Sequence, residues 1–225
     1  YQKEGINVHY CGHPLIKQLP EKADREQFFA KHGLDTTRPL VSIFPGSRTI
    51  ELRFLANTFI KSAKQLQKKH PEIQFCISHA PNLSDDIFDK YINGTDFKVI
   101  KGENQALLSI SDSLILASGT VALEAALYQI PMIIGYKGPW ILYLAYLLVR
   151  CIKKVSLPNI ITGEDIVPEL IQAKFNTENI CYETEKNLYN KEYRIGFIKA
   201  LGMVKEKLSD KYSAEEVANE IIKAL

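Results

Sequence analysis

Three short stretches of this sequence carry residue types suited to holding phosphate and sugar hydroxyls. The first is Phe44-Pro45-Gly46-Ser47-Arg48, between an apolar run and a long helical pattern. A helix start offers free backbone N–H groups and the positive end of the helix dipole, both favourable to an anion. Gly46 permits close backbone approach, Ser47 adds a hydroxyl, and Arg48 adds a planar, permanently charged fork. The run is neither GxxxxGK[ST] nor GxGxxG, so it points to neither a P-loop nor a dinucleotide site. Taken alone, it reads equally well as a tight turn with a solvated arginine. The second stretch is Ala117-Ser118-Gly119-Thr120-Val121-Ala122-Leu123-Glu124. Gly119 and Thr120 can present N–H and hydroxyl groups to a second phosphate. Glu124, one turn further on, can accept both hydroxyls of a vicinal diol such as a ribose. Alone, this stretch is more simply a helix start with a surface glutamate. The third, Ser156-Leu157-Pro158-Asn159, is a turn-like tetrapeptide whose Asn159 offers both a donor and an acceptor.

The elements around these stretches give them weight. Apolar runs at 40–44, 73–78, 97–100, 113–117 and 132–136 read as strands, and the intervening segments 49–69, 85–92, 104–110 and 120–128 read as helices. Strands alternating with helices predict a parallel sheet covered on both faces, and runs such as Leu-Val-Ser-Ile-Phe suit strands buried on both sides. The fold class is therefore α/β, Rossmann-like. Both glycine-containing stretches fall at the carboxyl ends of strands, where open parallel sheets bind their ligands. His70-Pro71, Gly94 and Pro131 sit where helices must stop. Residues 6–11 read as an additional strand, and after Pro158 the chain reads as helical and charged. The last helix is expected to start at Ser213, with Glu216 at capping-box spacing and Val217, Ile221 and Leu225 on one face.

Bulk properties exclude several function classes. The 225 residues are 46% hydrophobic with net charge +2, too mild for a nucleic-acid partner. Cys11, Cys76, Cys151 and Cys181 form no CxxC pair, so neither a zinc site nor a disulfide framework is indicated. Residues 125–163 contain no Asp or Glu. They do contain Lys137, Arg150, Lys153 and Lys154 among Tyr128, Tyr136, Trp140, Tyr143 and Tyr146. The apolar run there is about half the roughly 20 residues that a transmembrane helix needs. Aromatics with flanking cations suit an anionic membrane interface, although a buried helix with a basic end fits the same composition.

In combination, the motifs resemble those of the lipid-A-disaccharide synthases. That family carries GHP, PGSR, ASGT-x-x-LE, P-M-x-x-G-Y and V-S-L-P-N segments in order. This chain has Gly12-His13-Pro14, Pro45 to Arg48, Ala117 to Glu124, Pro131 to Tyr136 and Val155 to Asn159. The resemblance implies the C-terminal, donor-binding domain of a two-domain GT-B glycosyltransferase. Such an enzyme joins UDP-2,3-diacylglucosamine to 2,3-diacylglucosamine 1-phosphate (lipid X) and releases UDP, in lipid A synthesis. It implies that Ser47 and Arg48 meet the pyrophosphate, that Gly119 and Thr120 support it, that Gly46 and Ser118 belong to the same UDP site, that Glu124 holds the ribose and that Asn159 lines the donor cleft. No metal and no cofactor are implied, and the catalytic base is expected in the N-terminal domain. His13, before a proline, reads as a hinge or packing residue.

The domain reading is an entry segment at 1–20, the UDP-sugar-binding domain at 21–208 and a C-terminal helix at 209–225 that packs on the N-terminal domain. The expected partners are the UDP-diacylglucosamine donor, the lipid X acceptor and an anionic membrane surface, with a homodimer left open. The expected place is the cytoplasmic face of the inner membrane. Membrane and acyl-chain contact is assigned to Trp140, Tyr143, Leu147, Arg150, Lys153 and Lys154. Two alternatives stay open: another UDP-sugar enzyme of the same architecture, such as an epimerase, and a non-catalytic membrane-associated interaction module. UDP binding separates the enzyme readings from the module.

Overall fold

The computed structural model describes residues 5, 8–139, 154–208 and 213–224. Five expected strands form, each within a residue of its expected bounds: β1 Leu40–Phe44, β2 Gln74–His79, β3 Lys98–Lys101, β4 Ser113–Ala117 and β5 Met132–Tyr136. A sixth, β6 Glu169–Ile171, lies in the stretch expected to be helical. All neighbours pair in parallel, in the order β3-β2-β1-β4-β5-β6. β1 and β4 are fully buried along their length, so an apolar residue stands at nearly every position rather than at alternate ones.

The helices are α1 Leu15–Gln18, α2 Arg25–His32, α3 Thr49–Lys69, α4 Asp89–Ile92, α5 Asn104–Ile110, α6 Val121–Leu127, α7 Leu157–Thr162, α8 Thr177–Tyr189, α9 Lys191–Leu208 and α10 Ser213–Ala224. One face of the sheet carries a core built from α3, α4 and α8, with Phe59, Phe75, Phe88 and Phe175 at its centre. The other carries α2, α5, α6 and α9, around Phe29, Leu107, Leu123 and Leu201. The result is an α/β/α sandwich. Gly135 of β5 shows how tight the first core is. A Cβ there would lie 2.4 Å from the Phe175 ring and 2.8 Å from that of Phe59, two rings packed edge to face.

Two expectations need correction. The helix expected at 85–92 forms only over Asp89–Ile92. Ser84, Asp85 and Asp86 favour turns, and Asp85 pairs with Lys101 at 2.8 Å instead of continuing a helix. Within the expected strand at 6–11, residues 8–11 pair with no strand, and the Tyr10 hydroxyl donates to the Leu208 carbonyl instead; residues 6 and 7 lie outside the described residues. Ahead of α2, the chain from Leu15 onward packs on the domain. Leu15, Ile16 and Leu19 lie against the second core, and the Pro20 carbonyl accepts from the Tyr128 hydroxyl.

Candidate functional site

The strand order reverses between β1 and β4: from β1 the chain moves outward to β2 and β3, then returns to β4 and moves the other way. The loops leaving two such strands diverge to opposite faces and open a crevice at their carboxyl ends, the usual ligand position in doubly wound sheets. A cavity of about 430 Å³ occupies that place. The β1–α3 loop contributes Phe44, Gly46, Ser47, Arg48 and Glu51, and the β4–α6 loop contributes Ala117 to Val121 and Glu124. Ser78, Ala80 and Asn104 complete the wall from the ends of β2 and the start of α5. Two stretches about seventy residues apart in sequence thus face each other, brought together by the β1–β4 pairing.

The β1–α3 loop is held in a defined shape. Gly46 takes φ +108°, a backbone region that side chains rarely adopt. The Asn82 amide donates to the Ser47 carbonyl at 2.6 Å. The Glu51 carboxylate folds back over the helix start and accepts from the Ser47 N–H at 2.9 Å and the Arg48 N–H at 3.2 Å. Its other oxygen lies 3.2 Å from the Arg48 guanidinium. Arg48 nevertheless remains 76% exposed. Behind the loop, α3 runs for 21 residues, so the N–H groups of its first turn sit at the head of a long aligned dipole.

On the opposite wall, Gly119 and Thr120 are exposed, and Thr120 makes no side-chain cap bond to α6, which leaves its hydroxyl to the cavity. Glu124 is partly buried and, among the described residues, no side chain donates to its carboxylate. Burial alone pushes its pKa above the ordinary glutamate value, because the charged form loses solvation without gaining a partner. A desolvated acceptor at the rim of a cavity is suited to paired hydroxyl donors. Ser78, also in the lining, donates to the Asn104 side-chain carbonyl at 2.8 Å.

Gly46, Ser47, Arg48, Ser118, Gly119, Thr120 and Glu124 all line this one cavity. Asn159 does not, and the expectation that it lines the cleft is corrected. Its side chain is 1% exposed and fully used: the amide donates to the Val167 carbonyl and to Glu169, and its oxygen accepts from the Val167 N–H, each at 2.8–2.9 Å. Glu169 is the hub of that cluster. It also accepts from the N–H groups of Val155 and Ser156 and from the Ser156 hydroxyl. The knot reaches the site through Ser118, whose hydroxyl donates to the Val155 carbonyl at 3.3 Å. The Ser-Leu-Pro-Asn segment therefore braces the β4–α6 loop from behind. His13 uses Nδ1 to accept from the Leu15 N–H at 3.3 Å, at the start of α1.

The site residues that sequence reading did not single out are Glu51, Ser78, Ala80 and Asn104. Glu51 had a local signal, since it stands three residues after the helix-capping position. Ser78 and Asn104 come from separate elements and had none. Lys154 is ion-paired with Asp165 and 19% exposed, so its charge faces a protein carboxylate. Trp140, Tyr143, Leu147, Arg150 and Lys153 lie outside the described residues. Among the described residues, no helix is long and apolar enough to cross a membrane, and no cluster of three His, Cys, Asp or Glu could hold a metal.

The fold recurs in solved epimerases and a glycosyltransferase of low sequence similarity. A UDP-GlcNAc 2-epimerase from Neisseria meningitidis, solved with UDP-GlcNAc bound, superposes with a TM-score of 0.66 at 17% identity, over 99% of this chain and 58% of that one. A putative UDP-N-acetylglucosamine 2-epimerase from Listeria monocytogenes gives 0.67 at 16% identity, over 99% and 56%. A glycosyltransferase involved in lipopolysaccharide biosynthesis gives 0.58 at 17%, over 93% and 54%. Sequence relatives are nearer. The lipid-A-disaccharide synthase of Geobacter sulfurreducens is 34% identical over 228 residues, covering 100% of this chain and 59% of that protein. Its counterpart in Trichlorobacter lovleyi is 35% identical over 211 residues, covering 92% and 55%. The chain thus spans somewhat over half the length of these curated relatives. The sequence profile of the lipid-A-disaccharide synthetases matches residues 1–222, and the chain belongs to that family.

Proposed function

We propose that these residues form the donor-binding part of a lipid-A-disaccharide synthase, holding UDP-2,3-diacylglucosamine while its sugar is transferred to lipid X and UDP is released. One observation carries the reading. The two loops at the β1/β4 switch point set an arginine fork, a long helix start and a desolvated carboxylate around one cavity of nucleotide size. Family membership supplies the chemistry. The diphosphate lies across the β1–α3 loop, where Arg48 and the helix start meet its charge. Gly119 and Thr120 support it from the other wall, and Glu124 accepts the ribose hydroxyls. Arg48 balances charge on the leaving diphosphate as the sugar–phosphate bond breaks and the glycosidic bond to the acceptor forms. The acceptor and its base come from the half of the GT-B enzyme that faces this cavity.

Calorimetry with UDP tests the assignment. Arg48→Ala should lose about 1.5–3 kcal/mol of binding, the worth of a charged hydrogen bond. Arg38→Ala should lose none. Arg38 lies beyond the opposite end of β1, with its guanidinium donating to the carbonyls of Pro71 and Glu72. Equal losses in the two variants would refute the loop assignment.

Membrane association belongs to the same proposal. The acid-free aromatic segment from 140 to 154 rests in the anionic interface without spanning it, bringing the site to acylated substrates. Replacing Trp140, Tyr143 and Leu147 with serine should reduce liposome flotation and leave UDP binding unchanged. Unfolding of that triple variant would instead make the segment core.

A further inference from the structure

The N–H groups best placed for the donor's phosphate are already taken. Glu51 Oε2 accepts from both Ser47 and Arg48, and Oε1 lies against the Arg48 guanidinium. Two successive main-chain donors and one fork are what a phosphate oxygen seeks, and a carboxylate is the nearest protein equivalent of that oxygen. The close fit is visible at Gly46, where a Cβ would lie 2.3 Å from Glu51 Oε2. The carboxylate itself lines the cavity and is 25% exposed. Two anions cannot share these donors. A carboxylate that stayed would also neutralise the arginine that the diphosphate needs.

We propose that Glu51 is an internal competitor for the diphosphate subsite, an inference that rests on the donor-binding reading above. In the empty site its carboxylate stands in for phosphate and keeps the Gly46–Arg48 turn in its binding shape. When the donor arrives, the side chain rotates out toward solvent. Its backbone sits in the first turn of a 21-residue helix, so rotation about its side-chain bonds alone frees the Ser47 and Arg48 donors. When the bond to the sugar has broken and UDP is to leave, the same carboxylate reclaims those donors. Glu51 thus lowers affinity for the diphosphate and assists its exchange, without contact with the transferred sugar. It is a positioning residue that acts through the Ser47–Arg48 turn.

The test is binding of UDP, inorganic pyrophosphate and uridine to the 225-residue chain and to its Glu51→Gln and Glu51→Asp variants, with thermal melts alongside. Glutamine keeps an accepting oxygen for the helix cap and removes the charge; aspartate keeps the charge and draws it back from the turn. Expected is about fivefold tighter binding of both diphosphate ligands to Glu51→Gln, the scale of one exposed charge pair. A smaller gain is expected for Glu51→Asp, and no change for uridine, which lacks phosphate. Equal or weaker diphosphate binding in a variant that melts like the parent would overturn the proposal and leave the donor reading standing. Tighter pyrophosphate binding with no UDP binding to any form would overturn the donor reading and the exchange role with it, leaving Glu51 only as a competitor for a bound anion. Failure of every form to bind either anion would overturn both.

Discussion

Glu124 shows what a binding residue costs its own fold. Its carboxyl is partly buried with no donor among the described residues, and burial raises its pKa. A carboxyl raised in the folded state favours folding at acid pH, where it is neutral in both states, and that contribution is lost as pH rises through the folded value. Glu124→Gln should therefore melt higher than the parent at pH 7, and the difference should vanish below the ordinary glutamate value of about 4.3. The same variant should bind UDP about tenfold or more weakly, because the ribose hydroxyls lose a charged acceptor. A variant with lower stability at pH 7 would show that Glu124 has a protein partner and is structural. Gly46 meets its loop's demand in the backbone, at φ +108°, where a side chain would be strained. Both residues could be singled out from the sequence because the chemistry of each lies within a few residues of its own loop. Ser78 and Asn104, 26 residues apart, could not, since only the fold brings them to one wall.

At the scale of elements, what could be read in advance followed burial. The core strands β1, β4 and β5 are sheathed on both faces, and their unbroken apolar runs marked them to the residue. β6 escaped because it is three residues long and begins with Glu169, a residue type that argues against a buried strand. That glutamate is tolerated because Val155, Ser156 and Asn159 donate to it. The same cluster explains the misreading of Asn159, since a polar residue in a turn-like tetrapeptide carries no mark of whether it faces a ligand or a partner strand. Asn159→Ala should cost about 2 kcal/mol or more, because the Val167 N–H and carbonyl lose their buried partner. Measured by calorimetry well below its melting point, UDP affinity of that variant should match the parent. Normal stability with lost affinity would return Asn159 to the cleft.

Across the whole molecule, the strand order β3-β2-β1-β4-β5-β6 places one crevice between β1 and β4, and the chemistry of the chain gathers there. A second hollow, lined by Asp165, Val167, Lys174, Lys186, Tyr193 and Phe197, lies among β6, α8 and α9. The amphipathic α10 leaves Val217, Ile221 and Ile222 between 45% and 69% exposed. The central claim is that the β1/β4 crevice holds the UDP of a sugar donor, and amide hydrogen exchange with and without saturating UDP tests it most directly. The account predicts slowed exchange at residues 46–51 and 118–124, with none around Lys186 and Tyr193. Protection at the second hollow, or UDP binding that leaves both loops unprotected, would contradict it.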